Sequence, residues 1–257
     1  MSEPSLPEGL KLPGVFRYGA FYDLLADAVF QHRQAAKATD SYTVNRFARA
    51  SVLAATVGIE CAANCLLATL DIPSAIRGEL DRMTPLGKID ICLRLRGMPH
   101  IDTSSHVVQL VAELVKARND HVHPKSSNIP AEVNLPEDGD THWMLPMSLD
   151  GELWPHLKFP KRPMFWSSEC SRIALQAVAD FYRYLFKTLM ALDENDLQHM
   201  LSSRLEIGEA GIVMAVFDEV RFELEGAKEW GVDFEFLGVF LPPGSTPLPP
   251  FRPRQPA

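Results

Sequence analysis

TVNRFARASVLAATVGIECAANCLLATL, residues 43–70, decides what kind of protein this is. After Arg49 the run is apolar or small on nearly every side, and Glu60 is the one charge before Asp71. About twenty such residues could span a bilayer as a helix. Ser51, Thr56, Gly58, Glu60 and Asn64 make this a poor spanning segment, which leaves a central helix buried on all sides. Burying one helix completely takes several others around it, so the flanking segments are expected to build a helical bundle.

The flanks carry the matching patterns. In GAFYDLLADAVFQHRQAAK, residues 19–37, Phe21, Leu24, Leu25, Ala28 and Val29 fall at helical spacing. Thr84-Pro85 reads as an N-cap followed by proline at the first helical position, opening a short helix to about Arg96. DTSSH, residues 102–106, offers caps for the next helix, and Pro124 pushes His123 out of the α region, so that helix ends near 120–122. Residues 124–166 hold seven prolines and three of the four tryptophans, which predicts a long irregular connection with a hairpin around Asp150-Gly151. Ser167 or Ser168 then caps a helix running to about Leu192.

Further on the pattern weakens. Residues 194–205 read as helix, whereas 211–231 alternate like a strand at VRFEL but place Val213, Phe217, Val220, Leu224 and Ala227 as a helix would, which is the reading favoured. The tail holds seven prolines in its last sixteen residues and reads as extended or disordered. The expected architecture is therefore all-α: a bundle over 15–193 interrupted by the loop 124–166, an extension over 194–240 packed on it, and a proline-rich tail over 241–257.

Composition bounds the function. The 257 residues are 46% hydrophobic, enough for a sizeable core, and no apolar stretch near the start suggests export, so a cytoplasmic location is expected. Four cysteines are too few for a disulfide scaffold. Cys61 and Cys65, one turn apart among Ala, Leu and Asn, could ligate a metal but read as small core residues. The net charge of −8 argues against a protein that coats nucleic acid, but it is uneven: residues 1–128 carry 14 basic against 13 acidic residues, and 129–257 carry 11 against 20.

Three residues break the apolar order. Val107, Leu110, Val111 and Leu114 share a face, and the next member of that row is Arg118, which predicts a core-facing guanidinium in need of a partner. Glu60, with Asn64 one turn later, has the complementary need, so a Glu60 to Arg118 pair across the bundle is expected. His123 follows on extended backbone where it could turn back toward Arg118, or could simply sit solvated beside the helix C-terminal dipole. His121 and His123 form an H-x-H pair with no Cys or Asp cluster to complete a metal set, so neither metal nor cofactor is expected.

Arg118-Asn119-x-x-x-His123 resembles the R-N-x-x-x-H signature of HEPN (higher eukaryotes and prokaryotes nucleotide-binding) domains. The surroundings are similar too, with Glu60 and Asn64 on a long helix and Lys88 on a short one. The likeness is best over 43–125 and extends over the helices at 19–37 and 168–192. It implies an all-α bundle, often dimeric, and metal-independent cleavage of RNA in stress or defence.

His123 would act as general base on a ribose 2′-hydroxyl, Arg118 would hold the phosphate, and Asn119 would orient the histidine or a phosphate oxygen. Glu60, Asn64, Lys88 and His121 would support the site or bind substrate. The implied partners are a second copy of the chain, RNA or a nucleotide, and an antitoxin-like protein, with no membrane. Other HEPN-like domains only bind nucleotides, RNA or proteins, and that role is the alternative. LWPHLKFPKRPMFW, residues 153–166, interleaves aromatic and basic residues that could stack bases, or could pack the loop on the bundle.

Overall fold

A computed structural model describes residues 13–126, 128, 131–133, 147–149, 151–207 and 212–239. In chain order they form β1 (Val15–Arg17), α1 (Phe21–Lys37), α2 (Ser41–Ala68), α3 (Ser74–Asp81), α4 (Pro85–Leu95), α5 (His106–Val122), β2 (Ala131–Val133) and β3 (Met147–Leu149). There follow α6 (Ser168–Tyr182), continued as a π-helix over Arg183–Leu189, then α7 (Glu194–Leu201), β4 (Ser203–Glu206), β5 (Ile212–Ala215) and α8 (Asp218–Gly226).

The molecule is mostly helical, with α2 at its centre against α1, α4, α5 and α6. Asp40 starts α2 by accepting the Thr43 N–H at 2.8 Å. Small residues then let neighbouring helices approach: Ser51 Oγ reaches the Ala28 carbonyl of α1 at 2.7 Å, and a Cβ on Gly58 would meet Tyr182 Oη at 3.3 Å. Among the described residues α2 alone is long and apolar enough to cross a membrane, and 56% of that span is buried within the fold.

Burial on every side does not hold, however. Asn64 and Ala68 are exposed and Glu60 is half-buried toward α4 and α5, while Cys61 and Cys65 are half-buried near the start of α1 and β4.

Strands replace helix in two places. Residues 203–206 and 212–215 pair as β4 and β5, and β1 pairs antiparallel with β4, Val15 opposite Glu206 and Arg17 opposite Arg204. These short strands are additions to a mostly helical chain, consistent with the expected all-α architecture, and they tie β1 to a segment beyond residue 193. The favoured helix over 211–231 is right only from Asp218. α8 packs on α1, where Arg33 and Glu223 form an ion pair. Helix α3 adds to the expected elements; it spans eight residues, none of them buried, and its one apolar pair at helical spacing, Ile76 and Leu80, is too short a pattern to mark a helix in the sequence.

Within the proline-rich connection, β2 and β3 pair antiparallel. A tight reversal lies at 153–160: Leu153 bridges Pro160, the Trp154 N–H donates to the Phe159 carbonyl at 2.9 Å, and Lys158 takes a left-handed φ of 59°. Asp150 itself and the tail 241–257 lie outside the described residues. Trp154, Leu157, Phe159 and Trp166 are buried in the core, each contributing roughly 1.5–3 kcal/mol of apolar burial. The Trp166 indole N–H donates to the Pro160 carbonyl at 2.8 Å. These rings pack the loop on the bundle and are closed to bases.

Candidate functional site

Three helices converge on the open side of α2. Thr84 caps α4 by accepting the Gly87 N–H at 3.3 Å, with Pro85 at the first helical position. The helix so started carries Lys88 inward, where it is 1% exposed. Its ammonium donates to Asn64 Oδ1 at 2.8 Å, Asp81 Oδ1 at 3.2 Å and Glu60 Oε1 at 3.3 Å. An ammonium has three N–H donors, so Lys88 is saturated by α2 and the end of α3.

Glu60 turns its other oxygen toward α5, where Arg118 Nη2 stands 3.7 Å away. The structure therefore brings Glu60, Asn64, Lys88, Arg118 and Asn119 into one chain of contacts. Arg118 does not continue the core row as the sequence implied. The buried row of α5 is Val108, Val111, Leu114 and Ala117, which turns Arg118 to the margin, 29% exposed and facing a 34%-exposed Glu60. A guanidinium there needs no buried counter-ion.

Arg118 donates to Asn119 Oδ1 at 2.9 Å, and both line a cleft of about 170 Å³ with Thr56, Glu60, Arg82 and Thr84. Arg82 and Thr56 in the cleft, and Asp81 on Lys88, are neighbours that the sequence pattern does not mark. Asp81 and Arg82 close a short helix with no buried residue, and Thr56 reads as a helix residue, its Oγ bonded to the Val52 carbonyl at 2.7 Å.

His123 caps α5 with φ −121° and ψ 61°, its N–H donating to the Asn119 carbonyl at 3.0 Å. Its ring is exposed and makes no hydrogen bond or ion pair among the described residues, so within one chain it is not held against Arg118. His121 is half-buried beside Trp166, ring centres 5.8 Å apart. Burial, and then the nearby Arg49 charge, push its pKa below the usual histidine value.

Two other expectations change. Cys61 and Cys65 are half-buried rather than core residues. The Cys65 thiol, hydrogen-bonded to Cys61, draws the Cys61 pKa down, while the same contact and burial push Cys65 up. Lys116 of α5 and Lys161 of the loop lie 5.5 and 5.8 Å from the centre of the buried Trp154 ring, and Lys161 also pairs with Glu152 at 2.7 Å. Those cations serve packing first.

No family model matches the chain, and no curated protein or solved structure matches it.

Proposed function

We propose that this chain is a metal-independent endoribonuclease of the HEPN type that works as a homodimer. The observation that carries the reading is Arg118: it opens on a cleft beside Asn119 with guanidinium donors to spare, at the helix end where His123 is exposed. A guanidinium has five N–H donors in a planar fork. One is used on Asn119 and one faces Glu60 at a long 3.7 Å, so a phosphate could still be held.

In this mechanism His123 removes the proton from a ribose 2′-hydroxyl. The 2′-oxygen attacks the adjacent phosphorus and the bond to the 5′-oxygen breaks. Arg118 stabilises the negative charge that builds on the phosphoryl oxygens. The leaving 5′-oxygen takes a proton from the His123 of a second copy, leaving a 2′,3′-cyclic phosphate and a 5′-hydroxyl. Histidine suits both roles because its ordinary titration lies near neutral pH. DNA, lacking the 2′-hydroxyl, is not cleaved.

The second reading is a non-catalytic module that binds nucleotide, RNA or protein. It is favoured by the exposed His123 ring, which Arg118 does not touch within one chain, and by Glu60 standing on one side of Arg118. Incubating the protein with mixed RNAs in EDTA beside His123→Ala separates the two. Cleavage to cyclic-phosphate ends that the substitution abolishes supports the enzyme. Binding without cleavage supports the module, and cleavage unchanged by the substitution contradicts both.

A further inference from the structure

Arg49 lies on the same stripe of α2 as Asn45, Thr56 and Glu60, positions that recur at helical spacing. It sits two turns before Thr56, about 10 Å along the helix, on the side of α2 that faces the end of α5. Among the described arginines Arg49 alone has no hydrogen bond, ion pair or ring contact; the neighbouring Arg46, by contrast, rests on Tyr42. It is nonetheless half-buried, and its Nε lies out of water with no acceptor. Folded chains rarely leave a buried donor unpaired, and a guanidinium least of all.

The groups around Arg49 do not supply the missing charge. Its charge acts on His121, itself basic and without a hydrogen-bonding partner among the described residues. Asn45, one turn earlier, spends its amide on the Pro163 and Trp166 carbonyls at 2.8 and 2.9 Å. Trp166 closes the other side through its contact with the His121 ring. Arg49 and His121 are thus basic neighbours across α2 and the end of α5, and among the described residues no carboxylate pairs with either, while Asn45 pins the loop whose Trp166 lies against the His121 ring. Such an arrangement is complementary to an anion.

We propose that Arg49 and His121 form a second anion subsite, which takes a backbone phosphate of the RNA strand whose scissile phosphate lies at Arg118. The naming of the strand rests on the proposed function; the anion subsite stands on Arg49 and His121 alone. The fork of Arg49 reads a phosphate in two directions, and His121 donates from one ring nitrogen. The subsite fixes the path of the strand across α2 and adds affinity without chemistry.

The test is binding of an RNA oligonucleotide with its 2′-hydroxyls replaced by hydrogen, so that no cleavage intervenes, across a salt series, with inorganic phosphate as a parallel probe. Wild type is compared with Arg49→Gln, Arg49→Lys and His121→Ala. Removing one phosphate contact is expected to lower the slope of log affinity against log salt by about 0.7, so Arg49→Gln loses that increment and binds several-fold more weakly. Arg49→Lys keeps the slope but also binds several-fold more weakly, and it decides the matter should Arg49→Gln not fold. Inorganic phosphate is expected to raise the melting temperature of wild type above a chloride control at equal ionic strength, and of Arg49→Lys less. Wild-type affinity in both Arg49 variants, or no binding of either probe by wild type, overturns the subsite. If the Arg49 effects hold while wild type cleaves no RNA, the subsite stands and the ribonuclease reading falls.

Discussion

Lys88 and Arg118 sit in one network, share Glu60, and do opposite things. Lys88 is 1% exposed and gives its three donors to three oxygens. Arg118 is 29% exposed and keeps donors free beside a cleft. The difference teaches that charge in an apolar helix has no single meaning. A saturated, dry cation holds helices together, whereas an unsaturated, wet one is available to a ligand. Arg49 is the intermediate case, half-buried like Arg118 but without any partner.

The sharpest way to break this contrast is chemical. His123→Ala is expected to reduce RNA cleavage by about 10²–10⁴-fold, the usual worth of a general acid or base, and to leave the melting temperature alone because the ring is exposed. Cleavage rate and thermal melting on the same preparation check it; a loss of activity matched by a loss of fold would remove the catalytic role.

Lys88→Ala probes the other end of the comparison. Truncation empties a core position and strips Glu60, Asn64 and Asp81 of their donor. The expected cost is about 2–4 kcal/mol, below that of a fully dry ion pair because Glu60 and Asp81 are 34% and 65% exposed and regain water. Urea unfolding measures it, and a loss under about 1 kcal/mol would mean that Lys88 does not tie the helices.

The smallest effect concerns pH. His32 is buried between α1 and α6, its Nδ1 2.8 Å from Ser171 Oγ, its Nε2 unpartnered and its ring edge-on to Trp230. Burial first, and then Arg172, hold its pKa below 6.5, against a weaker opposing pull from Glu169. Because the unfolded chain takes up the proton first, stability is full above about pH 6.5 and declines as the pH falls toward the lower folded value. Melting curves from pH 8 to pH 5 are expected to show that decline, flattened in His32→Asn. A decline unchanged in His32→Asn would assign it to other groups. The acid limb of any activity profile must be corrected for this unfolding before it is read as titration at the site.

Much of the architecture was legible because the relevant signals are local. The apolar length of α2, the Thr84-Pro85 cap and the stop at Pro124 each involve neighbours in sequence. The sheet was not legible, since β1 and β4 are brief and meet only through tertiary pairing of residues about as far apart as Val15 and Glu206. Likewise α3 has no buried face to betray it.

In the site, Glu60 and Arg118 stood out as charges in apolar surroundings, and the structure brings them within 3.7 Å. The depth of Arg118 was misread because the buried row of α5 runs through Val108 and Ala117 instead of through Arg118 itself. The aromatic-basic stretch misled for a related reason: composition marks Trp154, Phe159 and Trp166 as able to stack, but only the fold tells that they are already packed. Arg49 carries no mark in the sequence, because it follows Arg46 on the polar first turns of α2 and its lack of a partner is a tertiary fact.

The central claim, that Arg118 is held for a ligand and not for the fold, is tested most directly by cleavage measured on Arg118→Ala at a temperature set from its own melting curve. A half-exposed pair contributes under about 1 kcal/mol, or a shift within about 4 °C for a chain of this size. The account therefore predicts a variant that melts within that margin of wild type and cleaves no RNA. A variant that melts far lower, or that cleaves like wild type while folded, would contradict it.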